Sequence, residues 1–165
     1  MKKSTADLKV TTPSDREIRM TRVFDAPRSL VFDALSKPEL LERWFLGPDG
    51  WTLAVCEIDL RPGGKYRFVW RREEDGTEMG MGGTYREVVP PERIVVTQSF
   101  DEAWYPGEEV VTMVLTERGG RTTLTNTMLY ESREARDVVL RSPMESGAAA
   151  SYDRLEEVLA SLQAA

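Results

Sequence analysis

Arg22–Phe45 reads RVFDAPRSLVFDALSKPELLERWF, and this stretch decides the fold. Arg22-Val23-Phe24 closes a run beginning at Glu17, in which polar and apolar residues alternate in part and β-formers gather at the end. Asp25-Ala26-Pro27 breaks that strand. Pro27 suits a first helical turn, because the N–H it lacks would have no partner there, and Asp25 is a candidate cap. Leu30, Val31, Ala34 and Leu35 follow at helical spacing, which predicts a short helix over Pro27–Ser36. Ser36-Lys37-Pro38-Glu39 restarts the pattern, with Ser36 or Lys37 at the cap and Pro38 at the first position. Leu40, Leu41, Trp44 and Phe45 then share one face of a second short helix that ends at Gly47-Pro48.

Downstream the pattern changes to strands. Trp51–Leu60 is β-rich and closes at Arg61-Pro62-Gly63-Gly64. Lys65–Arg72 alternates, with Tyr66, Phe68 and Trp70 on one face and Lys65, Arg67 and Arg71 on the other. Strands over Thr77–Val89, Arg93–Phe100, Glu109–Glu117 and Arg121–Tyr130 follow, separated by turns and by the loop Asp101–Glu108. The tail is helical. Glu134–Leu140 makes one or two turns, and Ser142-Pro143 can open a further helix. There Met144, Ala148, Tyr152, Leu155, Leu159 and Leu162 fall at spacings of three and four. The order is strand, two short helices, about six strands, then one long helix. That implies an α+β domain in which the last helix fills the face of an antiparallel sheet.

Composition narrows the function. With 165 residues the chain suits one domain, read as a loose polar segment over 1–12 and a single folded unit over 13–165. A net charge of −6 offers no electrostatic footprint for nucleic acid. The chain has no histidine, which removes the commonest general base and the commonest metal ligand. Cys56 is the only cysteine and reads as a small buried hydrophobe rather than a nucleophile. No metal site, cofactor or catalytic constellation is expected. No segment approaches the ~20 apolar residues of a membrane span. The polar N-terminus lacks the apolar run of a signal peptide, so a cytoplasmic location is expected.

Six pieces in order resemble a known family. RVFDAPRSLVFDAL followed by PELLERWF and LGP resembles the opening of the START-like, helix-grip (SRPBCC) superfamily. IDLRPGGKYRF, a DG turn, GGTYREVVPPERIVVTQSF and GRTTLTNTM are similar to its branch related to the heat-shock protein 90 ATPase activator, as is the final GAAASYDRLEEVLASL. The resemblance spans roughly Thr11 to Leu162. It implies a curved antiparallel sheet of about seven strands gripping the long helix, with a cavity between them. Members of the wider superfamily bind lipids, hormones or polyketides, and some catalyse cyclisations or dehydrations, so the fold alone does not set the activity.

The candidate lining of such a cavity is aromatic and methionine-rich: Trp44, Phe45, Trp51, Phe68, Trp70, Met79, Met81, Phe100, Trp104, Met113 and Met128. Asn126 lies between Leu124 and Met128 on the inward face, and Tyr85 and Tyr152 carry hydroxyls able to orient a ligand. Gly147, with the alanines after it, makes a small-residue face that permits either close helix–sheet packing or room for a ligand beside the long helix, while Gly80, Gly82 and Gly83 let the sheet bend. The nine residues RWFLGPDGW, Arg43–Trp51, read as a lid or plug. Asp59 and Arg61 flank a tight turn and are read as architectural charges able to pair with neighbours.

The expected function is binding of a small hydrophobic or amphipathic molecule without catalysis. The alternatives are a cyclase- or lyase-type enzyme acting on a bound hydrophobic substrate and a chaperone co-regulator or interaction module. A homodimer stays open; nucleic acid and membrane insertion are not expected.

Overall fold

The computed structural model describes residues 8–164. In chain order its elements are β1 (Lys9–Thr11), β2 (Glu17–Phe24), α1 (Arg28–Ser36), α2 (Pro38–Trp44), β3 (Trp51–Ile58), β4 (Lys65–Arg72), β5 (Glu78–Val89), β6 (Arg93–Phe100), β7 (Glu109–Arg118), β8 (Arg121–Leu129), α3 (Arg133–Leu140) and α4 (Met144–Ala164). The strands form one open antiparallel sheet in the order β1-β2-β8-β7-β6-β5-β4-β3. This is the expected α+β order, with eight strands where about seven were read. The extra strand is β1, whose Val10 pairs with Met20. It falls inside the segment read as loose; residues 1–7 of that segment lie outside the described residues.

Alternation sets which face is buried. Along β2, Ile18, Met20, Arg22 and Phe24 are buried. Register carries that face across the sheet. Met20 lies opposite Asn126, Asn126 opposite Met113, and Met113 opposite Ile94. A neighbouring row runs Ile18, Met128, Val111, Val96 and Tyr85. Because the side-chain period is two, both rows face the same side.

The glycines of β5 answer to close packing. A side chain on Gly83 would collide with the Thr97 carbonyl, and one on Gly82 would come within 2.6 Å of the Tyr66 carbonyl oxygen. Register shifts between Tyr85 and Glu87 on β5, and between Leu53 and Val55 on β3, mark bulges that bend and twist these strands.

Helix ends differ in detail from the sequence reading. Pro27 itself is the N-cap of α1, and no side chain caps it. Asp25 is too far upstream to reach the first-turn N–H groups; its own N–H donates to Glu156 Oε2 at 3.3 Å. Lys37 caps α2 with Pro38 at its first position. Ser142 Oγ donates back to the Val139 carbonyl rather than opening α4. Ser132, not singled out in the sequence, caps α3 by accepting from the Ala135 N–H at 3.0 Å. Asp59 and Arg61, read only as turn charges with unnamed neighbours, pair with each other at 3.0 Å.

Helix α4 packs against α1 and α2 and crosses the buried face of the sheet. Leu155 and Leu159 are fully buried there. Arg22 of β2 donates to Asp153 at 3.0 Å, and Phe24 meets Tyr152 edge-on with centroids 5.7 Å apart.

Candidate functional site

Between the sheet and the N-terminal half of α4 lies a cavity of about 350 Å³. Strands β4 to β8 supply its floor through Tyr66, Phe68, Trp70, Met79, Met81, Tyr85, Ile94, Val96, Gln98, Phe100, Val111, Met113, Asn126 and Met128, with Met20 from β2. Helix α4 supplies the roof through Met144, Gly147, Ala148, Ser151 and Tyr152. Leu35, Leu41, Trp44, Phe45 and Gly47 close one end. None of these residues is charged.

Hydrogen bonds fix the indoles of that end. Trp44 Nε1 donates to the Ala34 carbonyl and Trp70 Nε1 to the Phe45 carbonyl, each at 2.9 Å. Phe45 stands edge-on to Phe68 and Trp70, at 5.5 and 5.1 Å between centroids. The polar ends of both indoles are thereby satisfied while their faces stay apolar. Gly47 and Gly50 take φ values of +80° and +90°, which the turn of RWFLGPDGW requires of glycine. The lining reaches the surface at Met79, which is 39% exposed, and at the exposed Gly147, with Gly47, Met144 and Ala148 half-buried.

Thirteen of the fifteen residues singled out in the sequence surround this space: Trp44, Phe45, Phe68, Trp70, Met79, Met81, Tyr85, Phe100, Met113, Asn126, Met128, Gly147 and Tyr152. Trp51 and Trp104 do not. Trp51 begins β3 with its ring under the Arg72 guanidinium, 5.4 Å from the ring centroid. Trp104 sits in the loop after β6, 43% exposed, and packs on the far side of Phe100 and Tyr105. Aromatic content alone did not distinguish rings behind the wall from rings in it. Gln98 and Met20 were missed, although alternation signals both: Gln98 is two residues from Phe100, and Met20 lies within the alternating Glu17–Phe24 run. Met144 and Ser151 follow from the helical spacing around Gly147 and Ala148.

The polar groups of the lining are few. Asn126 Nδ2 donates to Tyr152 Oη at 3.2 Å, while Asn126 Oδ1 is shut off from solvent and has no partner. Burial pushes the Tyr152 phenol above its ordinary range, against the opposing pull of Asn126 and Arg22, so it keeps its proton. Burial likewise raises Tyr85, whose hydroxyl makes no hydrogen bond among the described residues. Tyr66 donates to the Thr97 carbonyl at 2.6 Å and is committed to the sheet. Gln98 Nε2 donates to Glu109 Oε1 at 2.9 Å. Glu109 lies behind the wall, 2% exposed, and also accepts from the Tyr105 hydroxyl. Desolvation raises its carboxyl above the usual range despite these donors.

Cys56 is half-buried, and its thiol is pushed up to about 11 by burial and by Glu42 and Glu39. It stays a protonated, unreactive thiol. Among the described residues no group of three His, Cys, Asp or Glu side chains could hold a metal ion. Among the described residues no helix is long and apolar enough to cross a membrane.

The same architecture occurs in solved structures. A crystal structure from Rhodobacter sphaeroides is 30% identical, with a TM-score of 0.88, covering 93% of this chain and 98% of that one. One from Chromobacterium violaceum is 29% identical, with a TM-score of 0.71 over 87% and 96%. One from Nitrosomonas europaea is 25% identical, with a TM-score of 0.80 over 92% and 99%. A comparison with curated proteins finds no match. Residues 25–160, from the end of the first long strand through most of α4, match the model of the Activator of Hsp90 ATPase homolog 1-like protein family. The chain belongs to that family, the branch its six motifs resemble.

Proposed function

We propose that this domain binds a small hydrophobic or amphipathic molecule between its sheet and α4, and that binding rather than catalysis is its activity. The observation that carries this reading is the cavity of about 350 Å³ with an uncharged, methionine- and aromatic-rich lining. That volume falls in the range of ~300–1,000 Å³ usual for small-molecule sites, which are mostly apolar with a few placed polar groups. Methionines at positions 20, 79, 81, 113, 128 and 144 give it a wall that adapts to irregular shapes. General acid–base chemistry needs ionisable groups near the operating pH inside the site. The only ionisable groups in the lining are phenols: Tyr85 and Tyr152 are driven further from that pH by burial, and Tyr66 is bonded to the backbone.

The test is titration with the neutral apolar fluorophore 1-N-phenylnaphthylamine, alongside native mass spectrometry of the purified protein. Saturable fluorescence enhancement at one site is expected, weakened at least about tenfold in Ala148→Phe, which fills the roof. Absence of saturable binding, or equal binding by a folded Ala148→Phe variant, overturns the reading.

A further inference from the structure

We infer that the preferred ligand is uncharged, an apolar body carrying one hydroxyl-type head that donates and accepts hydrogen bonds, with that head seated on Asn126 and Tyr152. This rests on the cavity being a binding site and names what it selects.

The first argument is the missing counter-charge. A carboxylate, phosphate or ammonium entering the cavity would leave water for a lining with no residue of either charge. Burying an unpaired ion is far costlier than burying a hydroxyl that finds partners. Arg22, whose charge acts on Tyr152, does not serve. It lies outside the lining, and its guanidinium is held by Asp153 at 3.0 Å and Glu156 at 3.6 Å. Glu109 is screened from the cavity by Gln98 in the same way.

The second argument is an unmet hydrogen bond. Among the lining side chains, Asn126 Oδ1 is the buried acceptor with no partner. An orphaned buried acceptor costs about 1–3 kcal/mol. Tyr152 Oη already accepts from Asn126 Nδ2 at 3.2 Å and makes no other hydrogen bond among the described residues, so its own proton has no protein acceptor. The pair therefore lacks one donor and one acceptor. An alcohol or phenol oxygen supplies both, accepting from Tyr152 and donating to Asn126 Oδ1 on a small turn of the amide. Pairing across strands places Asn126 between Met20 and Met113, so the rest of such a molecule meets methionine on either side.

The test uses four probes with one shared body at neutral pH: 2-naphthol, 2-methylnaphthalene, 2-naphthoate and 2-naphthylmethylammonium. Affinities are measured on the wild-type protein, Asn126→Leu and Tyr152→Phe. The expected result is 2-naphthol binding at least about tenfold tighter than either charged probe, and also tighter than 2-methylnaphthalene. Both variants, their fold checked by far-UV circular dichroism and a cooperative urea transition, should lose the advantage of the hydroxyl over the methyl group. A charged probe binding as well as 2-naphthol overturns the inference, as does a hydroxyl advantage that survives both substitutions. If 2-methylnaphthalene binds and 2-naphthol gains nothing, the head-group assignment fails while the cavity reading stands. If no probe binds the wild-type protein, both fail.

Discussion

The Trp70 indole N–H donates to the Phe45 carbonyl across 2.9 Å, joining β4, the strand beside the edge strand β3, to the residue that ends α2. Carbonyls in the last turn of a helix have no partner within it, so this bond both satisfies Phe45 and holds the turn Gly47–Gly50 over the cavity. Trp70→Phe keeps a ring and removes the donor. Stability should fall by about 1–3 kcal/mol, and amide exchange should accelerate across residues 46–51 more than in β4 itself. Equal protection of that turn in the variant would show that the lid is held by packing alone.

This bond also marks how far the sequence could be read. Alternation in Lys65–Arg72 placed Tyr66, Phe68 and Trp70 on one face, and the structure keeps them there. Spacing likewise located the helices, since their stripes repeat over several turns. What RWFLGPDGW does was not legible, because a glycine-rich turn fixes no side-chain direction. Trp44 and Phe45 turn inward, whereas Trp51 pairs with Arg72 outside the cavity. The Asn126–Tyr152 contact joins residues 26 positions apart on a strand and a helix. Parity put Asn126 inward, but only the crossing of α4 over β8 brings Tyr152 to it. Glu109 opens its strand beside Glu108, and nothing in the sequence marks its carboxyl as buried. Its burial follows from Tyr105 folding back over it, a contact that no periodicity encodes.

Arg22 is 3% exposed, and its partners are unequal: the Asp153 side chain is 68% exposed and that of Glu156 23%. Removing carboxylates from a buried cation is costlier than removing the cation with them left near water. The Asp153→Ala, Glu156→Ala double variant should lose about 3 kcal/mol or more in urea denaturation. Arg22→Met, which keeps the packing on Phe24, should lie within about 1 kcal/mol of the wild-type protein. The reverse order would mean that the ion pair itself, rather than burial of its apolar stem, holds β2 to α4.

Glu109 should give the protein a pH dependence of its own. Its folded carboxyl is raised, mainly by desolvation, with Tyr105, Gln98 and Tyr130 facing it. The phenols of Tyr105 and Tyr130 are themselves raised and stay neutral. Between the ordinary glutamate value of about 4.3 and the raised folded value, the folded state holds a proton that the unfolded state has lost. Stability therefore falls as pH rises through that window and levels off above it. Glu109→Gln cannot titrate and should remove this slope, so the variant gains on the wild-type protein as pH increases. Parallel stability curves for the two proteins would show that the carboxyl titrates normally.

Gly147 separates stability from access. A Cβ built there meets nothing within 4 Å, and the residue sits in the second turn of α4 with ordinary helical backbone. Glycine inside a helix costs about 1 kcal/mol relative to alanine. Gly147→Ala should raise stability by about 0.5–1 kcal/mol and leave 1-N-phenylnaphthylamine binding unchanged, because one methyl group does not close the mouth. Gly147→Phe gains part of that backbone advantage but adds a ring at the opening bounded by Gly47, Met79 and Met144. Its association rate for the fluorophore should drop several-fold while its urea midpoint stays at or above that of the wild-type protein. A phenylalanine variant that binds as fast as the alanine variant would place the entrance elsewhere. The half-buried Phe100, at the end of β6 beside Met81, would then mark the next candidate.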